Sequence, residues 1–164
     1  MTKEGQDRSS VSHAEEYEIW GLLSQVSDAM LKARGSELSP FGLTSVQAGV
    51  MYVVKVLQSK GIPATPSEIS RWVVREPHTI STLLVRMQKH GLVTLARSSQ
   101  GRPQVLVSLT EKGEDLYRGQ TESRRVIPEI LETLSPEERR QFRSFLERLR
   151  QRALEKLVVQ PPFP

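Results

Sequence analysis

The sequence predicts a mainly α-helical fold with one small antiparallel β-hairpin (α+β). Apolar residues recur at helical spacing in long stretches near both ends of the 164-residue chain. Two short segments in the middle, 92–97 and 104–109, instead alternate apolar and polar residues, as half-buried strands do. Directly before them, two short helical patterns lie on either side of a break at Pro77.

The N-terminal part is predicted to contain a flexible tail and one long helix. Residues 1–13 are polar and aperiodic, which is typical of a tail. From Glu15 to Ala33 the pattern is that of an amphipathic helix, with an apolar face of Ile19, Leu22, Leu23, Val26, Met30 and Leu31. Residues 35–42 contain Gly, Ser and Pro and predict a loop.

Two capping boxes mark the helices that follow. Thr44 and Gln47 have the spacing at which a hydroxyl and an amide satisfy free backbone N–H groups, and they predict a largely buried helix ending near Gly61. Thr65 and Glu68 form a second box, with a proline at the first helical position. A short helix to about Val74 is predicted there.

The next helix is predicted to start at Pro77 and to end at Gly91. Its inward stripe is Ile80, Leu83, Leu84 and Met87, and the remaining side chains are mostly polar. Two short helices joined by a tight turn and followed by a hairpin indicate a winged helix-turn-helix, in which the second helix enters a DNA major groove. The wing is the loop around Gly101, Arg102 and Pro103.

The C-terminal part is predicted to be helical. Thr110 begins one helix, which bends or ends near Pro128, and Ser135 with Glu138 begins another. The last helix carries the apolar stripe Phe142, Phe145, Leu146, Leu149, Ala153 and Leu157. We therefore divide the chain into a tail (1–13), an N-terminal dimerisation helix and loop (14–42), the winged helix-turn-helix (43–109), C-terminal dimerisation helices (110–159) and a second tail (160–164).

The terminal helices are called dimerisation helices because their apolar faces must be covered. The central unit already has core residues of its own, so the simplest cover is the same helices of a second copy. We expect an intertwined homodimer. The alternative is an intramolecular bundle over the central unit.

The net charge of +4 is concentrated in the central unit. The segment from Thr65 to Pro103 contains six basic and two acidic residues, whereas basic and acidic residues are equal in number in the rest of the chain. This distribution favours double-stranded DNA as the partner. The predicted DNA-binding residues are Thr65, Ser67, His78, Thr79, Ser81, Thr82, Arg86, Lys89, Arg97 and Arg102.

These residues have different expected roles. Thr79 and Thr82 are predicted to contact base edges, Arg86 a guanine or a phosphate, and Arg102 the minor groove. Thr65 and Ser67 begin a helix whose N–H groups suit a phosphate. Alternatives remain open: Thr79 and Ser81 as first-turn capping residues, and Arg86 as a structural ion-pair partner.

From Leu43 onward the chain resembles the MarR (multiple antibiotic resistance regulator) family of winged-helix transcription factors. The matching positions are Leu43, Thr44, Gln47, Glu68, Ile69, the segment 83–93 (LLVRMQKHGLV) and, after the wing, Val107 to Gly113 (VSLTEKG). With the terminal helices, the resemblance covers most of residues 15–157.

The resemblance implies an obligate dimer on a palindromic operator. It also implies a repressor that is released when a small, often aromatic, ligand binds between the DNA-binding lobes and the dimer helices. In the wing, where the family commonly has Asp, Arg, Arg, this chain has Gly101, Arg102 and Pro103, so only the middle arginine matches. Val85 stands where the family often has a carboxylate.

A small aromatic or apolar effector is expected near Trp20, Met51 and Tyr52, and Tyr117 is a further candidate. The alternative is that these side chains serve core or interface packing. No cofactor is expected. His13, His78 and His90 lack metal-ligand spacing, so no metal site is expected either.

Other classes of function are disfavoured. The chain has no cysteine, which excludes disulfides and thiol chemistry, and no apolar run long enough for a membrane span, so a cytoplasmic protein is expected. The sequence has no catalytic motif of the common enzyme classes, and no catalytic residue is predicted. The remaining alternative is a winged-helix module that binds protein without reading DNA.

Overall fold

The computed structural model describes residues 4–98 and 103–157, with side chains from residue 13 onward. Seven α-helices and one hairpin occur in these ranges. They are α1 (Glu4–Leu38), α2 (Ser45–Ser59), α3 (Pro66–Val73), α4 (Pro77–Lys89), β1 (Val93–Ser98), β2 (Gln104–Leu109), α5 (Glu111–Glu122), α6 (Val126–Leu131) and α7 (Pro136–Lys156). A 3₁₀ turn, Ser39–Phe41, joins α1 to α2. The predicted fold class is confirmed.

The first helix is longer than predicted at both ends. It begins at Glu4, inside the segment expected to be a tail, and continues through Gly35 to Leu38, inside the segment expected to be a loop. A glycine costs a helix about 1 kcal/mol relative to alanine. Leu38 is wholly buried in the core, and this tertiary packing offsets the local cost. The prediction of a loop from residue 35 was therefore wrong.

The predicted starts of α2, α3 and α7 are confirmed, with one difference in their capping. Thr44 and Ser135 each begin a helix with a complete capping box. Thr65 accepts a hydrogen bond from the Glu68 N–H at 3.2 Å, but the Glu68 carboxylate does not return to Thr65. It pairs instead with Arg71, one turn further along α3, at 2.8 Å. The second box is therefore only half formed.

The core lies between α2, α3, α4 and the hairpin. The buried residues of α2 lie around most of its circumference, as its lack of a polar face predicted: Ala48, Val50, Met51, Val53, Val54 and Leu57. Ile69 of α3 and Ile80 and Met87 of α4 are also fully buried. Burying an aliphatic side chain stabilises the fold by about 1.5–3 kcal/mol. This core fixes the position of α4.

The turn between α3 and α4 has an uncommon backbone conformation. Val74 ends α3 with φ 51°, in the left-handed region that β-branched residues rarely adopt. Its N–H donates to the Arg71 carbonyl at 3.3 Å, and the Arg75 N–H donates to the Ser70 carbonyl at 3.0 Å. These bonds close the turn within three residues, so that α4 can begin at Pro77.

The hairpin is attached to the helices on both sides. β1 and β2 pair antiparallel from Val93↔Leu109 to Ser98↔Gln104. The Val107 N–H donates to the Ala64 carbonyl, just before α3, at 2.8 Å. The Thr110 hydroxyl donates to the Gly91 carbonyl at 2.5 Å and accepts from the Gly113 N–H at 3.0 Å. The base of the hairpin is therefore held to α3, α4 and α5.

The terminal helices leave apolar side chains uncovered. On α1 the exposed large apolar residues are Tyr17, Ile19, Trp20, Leu22, Leu23, Val26 and Leu31, and near the C-terminus they are Phe142, Phe145, Leu149 and Leu157. Contiguous surfaces of this kind mark interaction sites. Among the described residues no single helix is long and apolar enough to cross a membrane; residues 13–41 and 45–59 satisfy length and composition only as a pair bent by 81°.

Candidate functional site

The outward face of α4 is the candidate nucleic-acid interface. Six of its exposed side chains were predicted to bind DNA: His78, Thr79, Ser81, Thr82, Arg86 and Lys89. Val85 and Gln88 are also exposed. The predicted inward residues Ile80, Leu84 and Met87 are buried, and Leu83 is half-buried against the core. The structure therefore brings these six predicted residues together on one surface.

The helical rotation separates this face into a centre and two flanks. Successive residues of an α-helix are rotated by roughly 100°. When Ile80, Leu83, Leu84 and Met87 define the core side, four residues lie within roughly 30° of the opposite direction: His78, Thr82, Val85 and Lys89. Ser81 lies on one flank, and Thr79 and Arg86 lie on the other. A helix in the major groove directs its centre to base edges and its flanks to the two phosphate backbones.

Arg86 and Lys89 are available for an external partner. Neither forms an ion pair or a side-chain hydrogen bond with any other residue that the structure describes. The alternative of a structural ion pair for Arg86 therefore has no support in these ranges. Thr79 Oγ1 and the neighbouring His78 Nε2 are 3.4 Å apart, within hydrogen-bond distance, and both side chains are exposed.

Both ends of α4 are fixed to neighbouring elements. Pro77 occupies the first turn, where its missing N–H leaves no hydrogen bond unmade. At the other end Lys112 of α5 donates to the His90 carbonyl at 3.0 Å. A cation at a helix C-terminus interacts favourably with the helix dipole. The orientation of α4 is thus set by its core side and by α5.

The remaining predicted DNA-binding residues lie on neighbouring elements. Thr65 is half-buried with its hydroxyl engaged as the cap of α3, whereas Ser67 is exposed in the first turn of that helix. Arg97 is exposed near the end of β1, opposite Val105. Arg102 and Gly101 lie outside the described residues. The base of the wing thus presents one exposed arginine.

A groove of about 1130 Å³ lies between α1, α2 and the C-terminal helices. Tyr52, one of the four residues predicted to line an effector site, lies on this groove and is half-exposed. The structure does not place the other three there. Met51 is wholly buried in the core, Tyr117 packs against that core, and Trp20 contacts Tyr17 edge to face on the exposed part of α1.

The groove has a polar end that the sequence did not reveal. Arg34 forms an ion pair with Glu37 and donates to the side chain and the backbone carbonyl of Gln120, which is wholly buried. Glu37 also accepts hydrogen bonds from the backbone N–H groups of Arg125 at 2.5 Å and Val126 at 3.3 Å. Arg125 begins α6 without a side-chain cap of its own, so Glu37 caps that helix from α1.

The Glu37 carboxyl is held in its charged form. Burial alone raises its pKa, but the hydrogen bonds from Arg125 and Val126 and the Arg34 guanidinium together outweigh burial. The pKa is therefore lowered from 4.5. Because the folded-state pKa is depressed, this contribution to stability is present above pH 4.5 and is lost as the pH falls through the folded-state pKa.

We expect Glu37→Gln to lower the free energy of unfolding by roughly 2 kcal/mol at pH 7, because three donors lose a charged acceptor. The difference between wild type and variant should narrow as the pH falls below 4.5 and should be lost below the folded-state pKa, where the carboxyl is protonated in the folded wild type as well. Urea denaturation at several pH values measures both effects. Glu129→Gln, at an exposed position on α6, is the matched control. Equal stability of Glu37→Gln and wild type at pH 7 would contradict the capping role.

Comparisons with known proteins agree with this fold. Residues 43–113 match a family described as winged helix DNA-binding domain. The chain is 30% identical over 131 residues, 79% of each chain, to YfiV of Bacillus subtilis (strain 168), an uncharacterized HTH-type transcriptional regulator. These 131 residues cover far more than the winged unit.

Two solved structures are similar over most of the chain. The organohalide-sensing regulator RdhR, in its 2,4-dichlorophenol-bound form, superposes with a TM-score of 0.74 at 26% identity, covering 85% of this chain and 81% of that one. A mutant of MarR from E. coli complexed with operator DNA superposes with a TM-score of 0.74 at 19% identity, covering 82% of this chain and 95% of that one.

The helix pair α3–α4, the adjoining hairpin and the polar outward face of α4 define a winged helix-turn-helix protein. Its relatives are transcriptional regulators. The chain belongs to the MarR family of winged helix-turn-helix transcriptional regulators.

Proposed function

We propose that this chain is a cytoplasmic, homodimeric repressor that binds a palindromic DNA operator and has no catalytic activity. The main support is the outward face of α4, which gathers hydroxyl and basic groups on a helix whose other side is buried in the core. Each copy supplies one α4, and two-fold symmetry of the protein requires two half-sites of DNA related by the same symmetry.

The residues divide into two roles under this proposal. Thr82 and Lys89, at the centre of the face, contact base edges. Thr79, which the sequence predicted at a base edge, lies on one flank beside Arg86, and both contact phosphates instead. Ser67 at the start of α3 and Arg97 on the hairpin contact the backbone on either side of α4. Arg102 in the wing extends the contact into the flanking minor groove.

The same proposal assigns the terminal helices to dimerisation. The exposed apolar residues of α1 and α7 are on helices other than α3 and α4, so a second copy that covers them need not cover the outward face of α4. The groove between these helices and α2 would accept a small aromatic or apolar effector beside Tyr52. The 2,4-dichlorophenol-bound structure of RdhR supports an effector of that class.

Selection of DNA from a random pool, followed by binding measurements on the selected sequence, tests the proposal. We expect a two-fold symmetric sequence with half-site centres about one helical turn apart or a multiple of it. An enriched sequence without symmetry, or no enrichment, would overturn the proposal of a symmetric operator.

Titrating the complex with 2,4-dichlorophenol and other small aromatics tests the proposed effector. Release of the DNA supports an effector of this class, and a complex that none of these compounds releases overturns the effector proposal.

We expect Arg86→Ala to weaken binding on every DNA sequence and to flatten its salt dependence. Each lost phosphate contact lowers the slope of log K against log salt by about 0.9, and a symmetric dimer loses two, so the slope should fall by about 1.8. Fluorescence anisotropy at several salt concentrations measures it. Arg118→Ala on α5 removes the same charge from an exposed surface ion pair and should leave the slope unchanged. An unchanged slope in Arg86→Ala would mean that Arg86 does not contact a phosphate.

A further inference from the structure

Val85 is an apolar residue at the centre of the polar α4 face. It is 45% exposed, and it lies within roughly 30° of the direction opposite the core. Its neighbours one turn away are Ser81 and Thr82 on one side and Lys89 on the other. The core does not account for this side chain, since the buried residues of α4 lie on the other side of the helix.

The surroundings of Val85 restrict what it can contact. The face around it is hydroxylic and cationic, which suits nucleic acid and disfavours an extended apolar partner. In the major groove the apolar group on a base edge is the 5-methyl of thymine, which aliphatic side chains contact. Thr82 lies three residues before Val85, so its methyl and the two Val85 methyls are neighbours on the helix surface. A valine side chain is also stiff, so it loses little freedom when it packs.

We propose that Val85 is a specificity-determining residue that contacts a thymine 5-methyl group in each operator half-site. This inference rests on the proposed function, because it requires α4 to lie in the major groove. It goes beyond that function by naming the base feature that is read and the residue that reads it. Thr82 and Lys89 supply polar contacts beside the methyl contact, so one half-site position should require thymine by shape rather than by hydrogen bonding.

Deoxyuridine substitution tests the inference, because uracil differs from thymine only in lacking this methyl group. In the selected operator, symmetric pairs of thymines are replaced by deoxyuridine one pair at a time. At one pair we expect wild-type affinity to fall by about four-fold for each methyl contact, or roughly 16-fold for both half-sites. In Val85→Ala the same substitution should change affinity by less than two-fold. Alanine favours the helix, so the variant should fold.

Val46→Ala is the matched control, since Val46 is 44% exposed and lies in the first turn of α2, away from the α4 face. It should retain the full deoxyuridine effect. The inference is overturned if no thymine pair shows the effect, if Val85→Ala keeps it, or if Val85→Ala weakens all operators equally. Failure of the proposed function looks different: wild-type protein would then select no symmetric DNA at all.

Discussion

Replacing Phe145 and Leu149 together by glutamate is expected to give a folded monomer that binds its operator at least 100-fold more weakly. The two side chains are adjacent on α7 and are 53% and 54% exposed in one chain, so the substitution should not disturb the fold of that chain. In the proposed dimer they are buried, and burial of unpaired carboxylates opposes association. Loss of the second DNA-binding helix removes an avidity gain of about 10²–10⁴.

Light scattering after gel filtration measures the mass, circular dichroism measures helicity, and anisotropy measures operator binding. Ser144→Glu with Gln151→Glu adds the same two charges at exposed polar positions of α7 and should remain dimeric. If the Phe145 and Leu149 variant stays dimeric and binds normally, the α7 surface is not the interface. If the double variant unfolds, Leu149→Ala provides the test, because this truncation adds no charge to the helix. The Leu149→Ala dimer should then dissociate into monomers at a higher protein concentration than the wild-type dimer when both are diluted.

The parts of the fold that depend on local signals were predictable from the sequence. A capping box needs only two residues three apart, and Thr44 and Ser135 both begin helices with complete boxes. The outward face of α4 follows from helical periodicity alone, since four apolar positions define its buried side. The candidate DNA-binding surface was therefore predictable residue by residue on this helix.

The parts that depend on distant contacts were not predictable. Gly35 suggested a helix end, but burial of Leu38 carries α1 past it. The left-handed conformation of Val74 was not predictable, because β-branched residues rarely adopt it. Arg34 and Gln120 are 86 positions apart, so only the assembled fold brings them together. Because α2 lacks a polar face, its pattern did not distinguish buried Met51 from groove-lining Tyr52.

Gly113 is expected to be the glycine whose replacement by alanine costs the most stability. A Cβ at this position would lie 2.1 Å from the Leu92 carbonyl oxygen and 3.4 Å from the Cβ of Leu109. The Leu92 carbonyl is backbone that already accepts the Thr110 N–H at 3.1 Å, so it cannot rotate away as a flexible side chain would. We expect Gly113→Ala to destabilise the fold by about 3 kcal/mol. The thermal midpoint should fall by roughly 10 °C.

Gly49→Ala is the matched control, because Gly49 also lies in a helix and a Cβ there would meet no atom within 4 Å. Alanine favours a helix by about 1 kcal/mol at either position, so the difference between the two variants isolates the clash at Gly113. Gly49→Ala should be as stable as wild type or more stable. Because Gly113 holds α5 against both ends of the hairpin, Gly113→Ala should also weaken operator binding at temperatures where it is folded. Equal thermal midpoints for the two variants would mean that α5 does not approach the hairpin this closely, and the attachment of the wing to α5 would have to be revised.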